Sequence, residues 1–330
     1  MTEQKTVISK AAWAIKAICV LFVIIAHTDY TAIPDGFGAC IISRLGSAGV
    51  PMYLVLSGYF FHPRNYESLW ILLKKRAVSL CLPWLFCGSV IYLYTVLRSG
   101  EGVHLVPAIK FLLGHGSYLY YLSVLLVLQL AFWLLKDLPN KILLWGCMVL
   151  SGVSLLLTAA GCLDDLVTWI GLTHYLNAFN WCGFFALGFV VQKRPVSNLI
   201  AGIRKISLPA AALWSVLLVC GYFAETRFGY FSWFGYGMEL CSCIFLLGLG
   251  VALSDVGWLR SLGKYSFPAY LLHIQVIPIT AKILGGSVAG VLISPLVTYA
   301  ITFGFVWLAC RSAGWLRCEK LSEYLLGTRV

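Results

Sequence analysis

Runs of about 20 consecutive apolar residues recur along this chain, each long enough to cross a hydrocarbon layer at 1.5 Å per helical residue. Ten can be marked: residues 11–30, 45–61, 77–97, 117–135, 142–163, 174–191, 206–224, 228–254, 265–284 and 285–310. The second and ninth are the weakest, being short or broken by Gly and Pro. Their continuity points to helices, because a transmembrane barrel shows short segments that alternate apolar and polar. Of 330 residues, 60% are hydrophobic and only 11% charged, where ordinary globular chains carry about 25% charge. That excludes a soluble globular enzyme, a disordered chain and a disulfide-stapled secreted module. The expected fold is all-α: a polytopic bundle of about ten transmembrane helices.

The formal net charge of +11 would suggest nucleic acid as a partner in a soluble protein. Here the cations sit between apolar runs, so they report membrane orientation and no nucleic acid is expected. With the N-terminus placed in the cytoplasm, 18 Lys and Arg fall on inner segments and 5 on outer ones, while Lys16 lies within the first run. The asymmetry predicts that both termini are cytoplasmic. No small-residue cleavage site follows the first run, which is therefore expected to remain as an anchor. Residues 1–310 read as one transmembrane domain. Residues 311–330, where basic residues alternate with Trp315, Leu316, Leu321 and Leu325, read as a cytoplasmic interfacial helix.

Most of the 12 cysteines lie inside apolar runs, where cysteine behaves as a small hydrophobe. Cys241 and Cys243 are spaced CxC without a second pair, so no metal site is expected. No connection is long enough for a soluble catalytic domain, and any chemistry belongs in the bundle. An ionisable side chain inside a span is costly and marks function by default. Lys16, His27, Glu239 and His273 are such residues. Eleven helical steps separate Lys16 from His27, which sets both on one face about 16 Å apart. A cation near the inner surface and an imidazole deeper in would line one path. The plainer alternative has Lys16 snorkelling to headgroups and His27 bonding a neighbouring helix. Asp29 reads as the outer end of the first helix. Glu239 is expected to pair with His27 or Lys16 or to line a cavity. His273 reads equally as a ligand-facing group or as an interhelical hydrogen bond.

Four stretches, in order, resemble the acyltransferase 3 family of integral membrane acyltransferases. They are Lys16 and His27 with ten residues between; Gly49-Val50-Pro51-Met52-Tyr53-Leu54-Val55-Leu56-Ser57-Gly58-Tyr59; Lys74-Lys75-Arg76 followed by Pro83; and Leu262-Gly263-Lys264-Tyr265-Ser266 continuing to Tyr270-Leu271-Leu272-His273. The resemblance covers nearly the whole chain. It implies an O-acyltransferase of the bacterial cytoplasmic membrane. Such an enzyme moves an acyl group, acetyl most commonly, from cytoplasmic acyl-coenzyme A to a hydroxyl of a cell-envelope polysaccharide or lipid-linked sugar.

Carried over residue by residue, the resemblance makes His27 catalytic with Lys16 as its partner cation. Lys74 and Arg76, with Lys16, become binders of acetyl-coenzyme A. Neutral imidazole suits either base or nucleophilic catalysis of thioester-to-hydroxyl transfer. Glu239 joins the catalytic candidates. Tyr118, Tyr120, Tyr121, Ser57 and His273 are the substrate-binding candidates. The family's His-Leu-Trp element at the fourth helix reads Tyr118-Leu119-Tyr120 here, an aromatic platform suited to stacking a sugar. Membrane lipid is a further partner, and the sequence fixes no oligomeric state. A small-molecule transporter or flippase, like the membrane part of vancomycin-resistance serine racemases, is the alternative; the breaks at Gly46, Gly49, Pro51 and Gly58 would suit a substrate path.

Overall fold

The computed structural model describes residues 3–34, 36–100, 102–224 and 230–327. Among them all regular structure is helical. Eight helices are long and apolar enough to cross a membrane: Val7–His27, Gly36–Tyr59, Leu69–Ser99, Asn140–Ala159, Val196–Ala224, Gly235–Ala252, Ser266–Leu284 and Val288–Trp315. Two shorter apolar helices, Tyr120–Leu134 and Cys182–Val191, fall where the fourth and sixth runs were expected. In chain order they make ten segments, and the protein is a multi-pass helical membrane bundle.

Several boundaries differ from the sequence reading, each for a physical reason. The second segment starts at Gly36 rather than residue 45, because Arg44 and the glycines hid a helical stretch ahead of the 3-10 turn Gly46–Ala48. The third starts at Leu69 rather than residue 77. Ser68 caps it by accepting the Ile71 N–H at 3.3 Å, and Lys74–Arg76 form its last α-helical turn before a π turn at Ala77–Cys81. Pro83 follows and cannot donate to the Ser79 carbonyl, so the wider turn absorbs the break. The sixth run is helical only from Cys182. Its first half forms 3-10 turns over His174–Leu176 and Ala178–Asn180. That irregular backbone is held by side chains: Ser151 donates to the Asn180 carbonyl (2.8 Å), Ser154 to the Asn180 amide oxygen (2.6 Å), and Asn180 to the His174 carbonyl (3.0 Å). Backbone without helical bonds is tolerated at membrane depth only when protein satisfies it in this way. The tenth helix runs on to Trp315, and Glu319–Leu326 then packs against the third segment, with Cys87 Sγ 3.6 Å from the Leu325 carbonyl.

Contacts between connections define the two ends. At one end Lys10 pairs with Asp255 (3.1 Å), Arg64 with Asp137 (3.8 Å), and Lys193 bonds Asn140. These residues all come from the segments expected inside, and this is the basic end. The connections after the third, fifth and seventh segments gather at the far end, where they line one cavity together with the end of the first helix and the first half of the second segment. Of the charges used to predict orientation, Arg227, Arg329 and the Lys5 side chain lie outside the described residues, as do Phe228 and Gly229 at the start of the eighth run.

The first helix is the hub. Ala14, Ala17, Cys19, Val20 and Ile24 are wholly buried in it, and the second, eighth, ninth and tenth segments all touch it. A lipid solvent gives apolar helices no hydrophobic reason to associate, so close backbone approach through small residues supplies the packing. Gly46 and Gly49 lie so close to the first helix that a Cβ on either would strike Ala26 or Val23. That contact draws the 3-10 turn of the second segment against the residue preceding His27. Gly58 and Gly188 interlock the second and sixth segments in the same way.

Candidate active site

Two cavities approach each other from opposite ends of the bundle. The far-end cavity, about 390 Å³, holds His27 together with Arg44, Ser47, Tyr118 and Tyr120. His27 is the last residue of the first helix and is exposed to this space. Beyond it Asp29 accepts the Thr31 N–H at 2.9 Å, which holds its carboxyl below the usual carboxylate range and closes the turn. The cavity wall is aromatic. Trp181 stacks on Tyr230 with ring centres 4.3 Å apart and 21° between planes, Tyr120 lies 4.8 Å from Tyr175, and Trp181 Nε1 donates to the Tyr175 carbonyl (2.9 Å). Flat faces of this kind suit the apolar face of a sugar ring.

The basic-end cavity, also about 390 Å³, contains Lys16, Arg76, Lys264, Ser57, Tyr121 and Gln129 in its lining. Lys16 Nζ sits 4.4 Å from the Trp13 ring centre and 5.7 Å from that of Phe60. Arg76 donates to the Tyr66 hydroxyl at 3.0 Å. A third cavity of about 760 Å³ adjoins it and shares Tyr66, Arg76 and Ser79; Lys74, Lys75 and Glu323 complete its polar rim. The basic run therefore flanks a continuous, cation-lined entrance from this end.

Buried rings separate the two cavities. Tyr53, Tyr121, Tyr270 and Tyr118, at 3–8% exposure, form the partition, with centres 5.5 Å apart for Tyr121 and Tyr270 and 5.8 Å for Tyr118 and Tyr270. Backbone carbonyls anchor three of their hydroxyls: Tyr53 donates to Lys16 (2.8 Å), Tyr118 to Leu271 (2.6 Å) and Tyr270 to Tyr118 (2.5 Å). His273, with no exposure, lies behind His27, their ring centres 5.5 Å apart. Its Nδ1 donates to the Tyr270 carbonyl at 2.6 Å, which leaves Nε2 as the imidazole's acceptor nitrogen. Nε2 is buried and meets no hydrogen-bond partner among the described residues.

The sequence candidates divide between these spaces. His27, Tyr118 and Tyr120 line the far-end cavity, whereas Lys16, Arg76, Ser57 and Tyr121 line the basic one, with Ser57 Oγ 3.2 Å from the Tyr121 hydroxyl. Lys74 borders the adjoining cavity. Lys16 and His27 do not share an open path: they occupy separate cavities, with the tyrosine partition between. Glu239 is wholly buried and bonded to Ser47 Oγ and Ser242 Oγ (3.1 Å to the latter). These serines, rather than His27 or Lys16, are its hydrogen-bond partners.

Arg44, Trp181, Tyr175, Tyr230, Gln129 and Lys264 were not among the sequence candidates. Arg44 carried a usable signal, a cation inside an apolar helix, but the expected boundary had put it in a loop. Tyr175, Trp181 and Tyr230 carry none, because they come from two separate connections and meet Tyr120 only in the packed bundle.

The acyltransferase domain model (Acyl_transf_3) matches residues 14–311, most of the chain. No curated protein and no solved structure matches it. The family model takes in the first helix from just before Lys16, both cavities and the partition between them, and the chain belongs to this acyltransferase family: it is a multi-pass membrane acyltransferase.

Proposed function

We propose that the protein carries an acyl group, acetyl most of all, from cytoplasmic acyl-coenzyme A across the partition to a hydroxyl of a cell-envelope polysaccharide or lipid-linked sugar. The observation that carries this reading is the pair of opposed cavities of unlike chemistry meeting at one His- and Tyr-lined wall. The basic end faces the cytoplasm by the charge asymmetry. There Lys74, Lys75 and Arg76 hold the donor's phosphates, and the narrower cavity between Lys16 and Tyr121 takes its arm. The far-end aromatic cavity takes the acceptor sugar.

His27 then removes the acceptor's proton as the hydroxyl oxygen bonds to the acyl carbon. The carbon–sulfur bond breaks, and the proton passes to the departing thiolate, leaving free coenzyme A and an ester. In the covalent variant His27 carries the acyl group between the two cavities. His273 backs His27 and restricts how its ring turns. Glu239 acts through Ser47, which it holds beside the far-end cavity; Arg44 supplies positive charge there for the developing oxyanion. The aromatic partition ties its own rings to backbone, which favours transfer chemistry over passage of a whole solute.

The test is turnover of acetyl-coenzyme A by the detergent-purified protein with membrane glycolipid supplied, wild type beside His27→Ala. Release of coenzyme A that falls at least about a hundredfold in the variant is the expected result for loss of the central base or carrier. Equal turnover in both proteins would refute the role of His27. Uptake of a labelled small molecule into vesicles without any donor consumption would put the transporter reading in its place.

A further inference from the structure

Gln129 is a polar residue in the basic-end cavity that the transfer chemistry above leaves unused. It lies on the fourth helix, which presents Tyr121, Leu125 and Gln129 to that cavity at intervals of four residues. Its side chain is 5% exposed, so neither lipid nor bulk water solvates it. Its amide oxygen is buried and meets no donor among the described residues. A buried amide oxygen without a donor is costly, and folded proteins rarely keep one without a use. Glutamine is otherwise a poor choice for this position: Leu would fill similar space without a desolvation penalty.

The position narrows what the partner is. Tyr121 belongs to the partition, and Gln129 sits eight residues further along the helix, about 12 Å toward the basic end. It therefore lies between the partition and the cations that border the entrance. Much of the surrounding lining is apolar, with Leu56, Leu80, Leu125 and Phe267 among it. A ligand that passes from the cations to the partition along this wall crosses a mixed lining, in which Ser57, Ser79 and Ser266 are hydroxyls and Gln129 is the one side-chain amide among the described residues. A flexible chain interrupted by secondary amides fits that pattern, since a primary amide can both donate to and accept from a secondary one.

On the reading that this cavity receives acyl-coenzyme A, we propose that Gln129 is the contact that recognises the pantetheine arm, pairing with one of its amide groups and setting how far the thioester extends toward the partition. The phosphates are read separately, at Arg76 and Lys74, so the two halves of the donor are recognised by different residues.

The full-length protein in detergent tests this by binding of coenzyme A and, separately, of adenosine bisphosphate, which keeps two of its three phosphates and lacks the arm. Gln129→Leu is expected to weaken coenzyme A binding about tenfold, the loss of one buried hydrogen-bonded contact. Adenosine bisphosphate binding should stay unchanged, and ligand-free thermal stability should be equal or higher because an unpaired polar group has been removed. Arg76→Ala should weaken both ligands alike. Gln129→Asn, which keeps the amide but shortens its reach, should fall between wild type and Leu, and it supplies the same reading should the Leu variant fail to accumulate. Unchanged coenzyme A binding in both Gln129 variants, or equal weakening of both ligands, overturns the contact while leaving the donor site in place. Failure of wild type to bind either ligand overturns the donor site itself.

Discussion

The interlock between Gly58 and Gly188 gives a prediction whose size follows from geometry. A Cβ at Gly188 would overlap the Val55 carbonyl and stand 2.8 Å from the Tyr59 nitrogen; one at Gly58 would overlap the Phe185 carbonyl. In each case the obstacle is backbone, which no rotamer change can clear. Gly188→Ala gains about 1 kcal/mol of helix propensity. Against this, inserting a methyl group into rigid packing costs up to about 3 kcal/mol. The net expectation is a loss of about 2 kcal/mol. Gly304→Ala is the matched control, because nothing lies within 4 Å of its Cβ position and it too sits inside a helix. It should be neutral or stabilising by up to about 1 kcal/mol. The two variants should thus differ by about 3 kcal/mol, on the order of a hundredfold in the unfolding equilibrium. Titration of the purified protein from mild detergent into SDS, followed by tryptophan fluorescence, measures the difference. Activity adds a second readout, because Ser57 adjoins Gly58 and touches Tyr121 in the basic-end cavity; on the proposed function, the apparent donor KM should rise in Gly188→Ala and not in Gly304→Ala. Equal SDS midpoints for the two variants would refute the account of how the second and sixth segments pack.

Three further outcomes follow from the site. Arg76→Ala should raise donor KM at least tenfold, the size of a lost charge-assisted hydrogen bond, and Arg76→Lys should recover part of it; steady-state kinetics across donor concentration decide. Glu239→Gln keeps an oxygen that can accept from one of Ser47 and Ser242 and places an N–H that can donate to the other hydroxyl, so turnover should stay within about tenfold of wild type, whereas Glu239→Leu should lose both activity and thermal stability; a hundredfold loss in the Gln variant would make Glu239 a proton carrier. Tyr270→Phe removes the anchor to the Tyr118 carbonyl but keeps the ring, and should lower kcat several-fold while leaving vesicles ion-tight; Tyr270→Ala should open the partition and make proteoliposomes leak a small dye.

The membrane architecture was legible because lipid imposes it. A segment that crosses hydrocarbon must be long and apolar, and its connections must alternate sides, so ten runs and one charge count carried most of the topology. What blurred the boundaries was polarity inside helices. Lys74, Lys75 and Arg76 lie within the third helix at its membrane edge, and Arg44 lies within the second. A hydropathy window stops at such residues, whereas a helix capped by Ser68 does not. The sixth segment was misread in the other direction: its apolar stretch includes Asn177 and Asn180, whose amides hold turns that only the packed neighbours Ser151 and Ser154 make affordable. Lys16 and His27 stood out because charge inside a span is costly. Helical phase sets both on one face of the first helix but says nothing of what other helices insert between them. The tyrosines of the partition come from the second, fourth and ninth segments, and single-helix periodicity cannot assemble them. Gln129 carries no charge, so only its burial in the packed bundle sets it apart.

The partition explains why a transferase of this kind needs Tyr where Phe would fill the same space. Each ring must seal two cavities that approach one another inside the bundle, and a ring free to turn about its side-chain bonds would open a gap. Tyr53, Tyr118 and Tyr270 each give their hydroxyl to a backbone carbonyl of a packed neighbour, which fixes both ends of the side chain. The acceptors are the carbonyls of Lys16 on the first helix, of Leu271 on the ninth, two residues before His273, and of Tyr118 just before the fourth. The bonds therefore tie the wall to the same elements that carry Lys16 of the basic-end cavity and the ring behind His27. A movement of the first helix at Lys16 would pull on Tyr53, and a shift of the ninth would move Tyr270 and His273 together. Sealing and alignment thus depend on one set of hydrogen bonds, and loosening the wall should cost turnover before it costs the integrity of the fold.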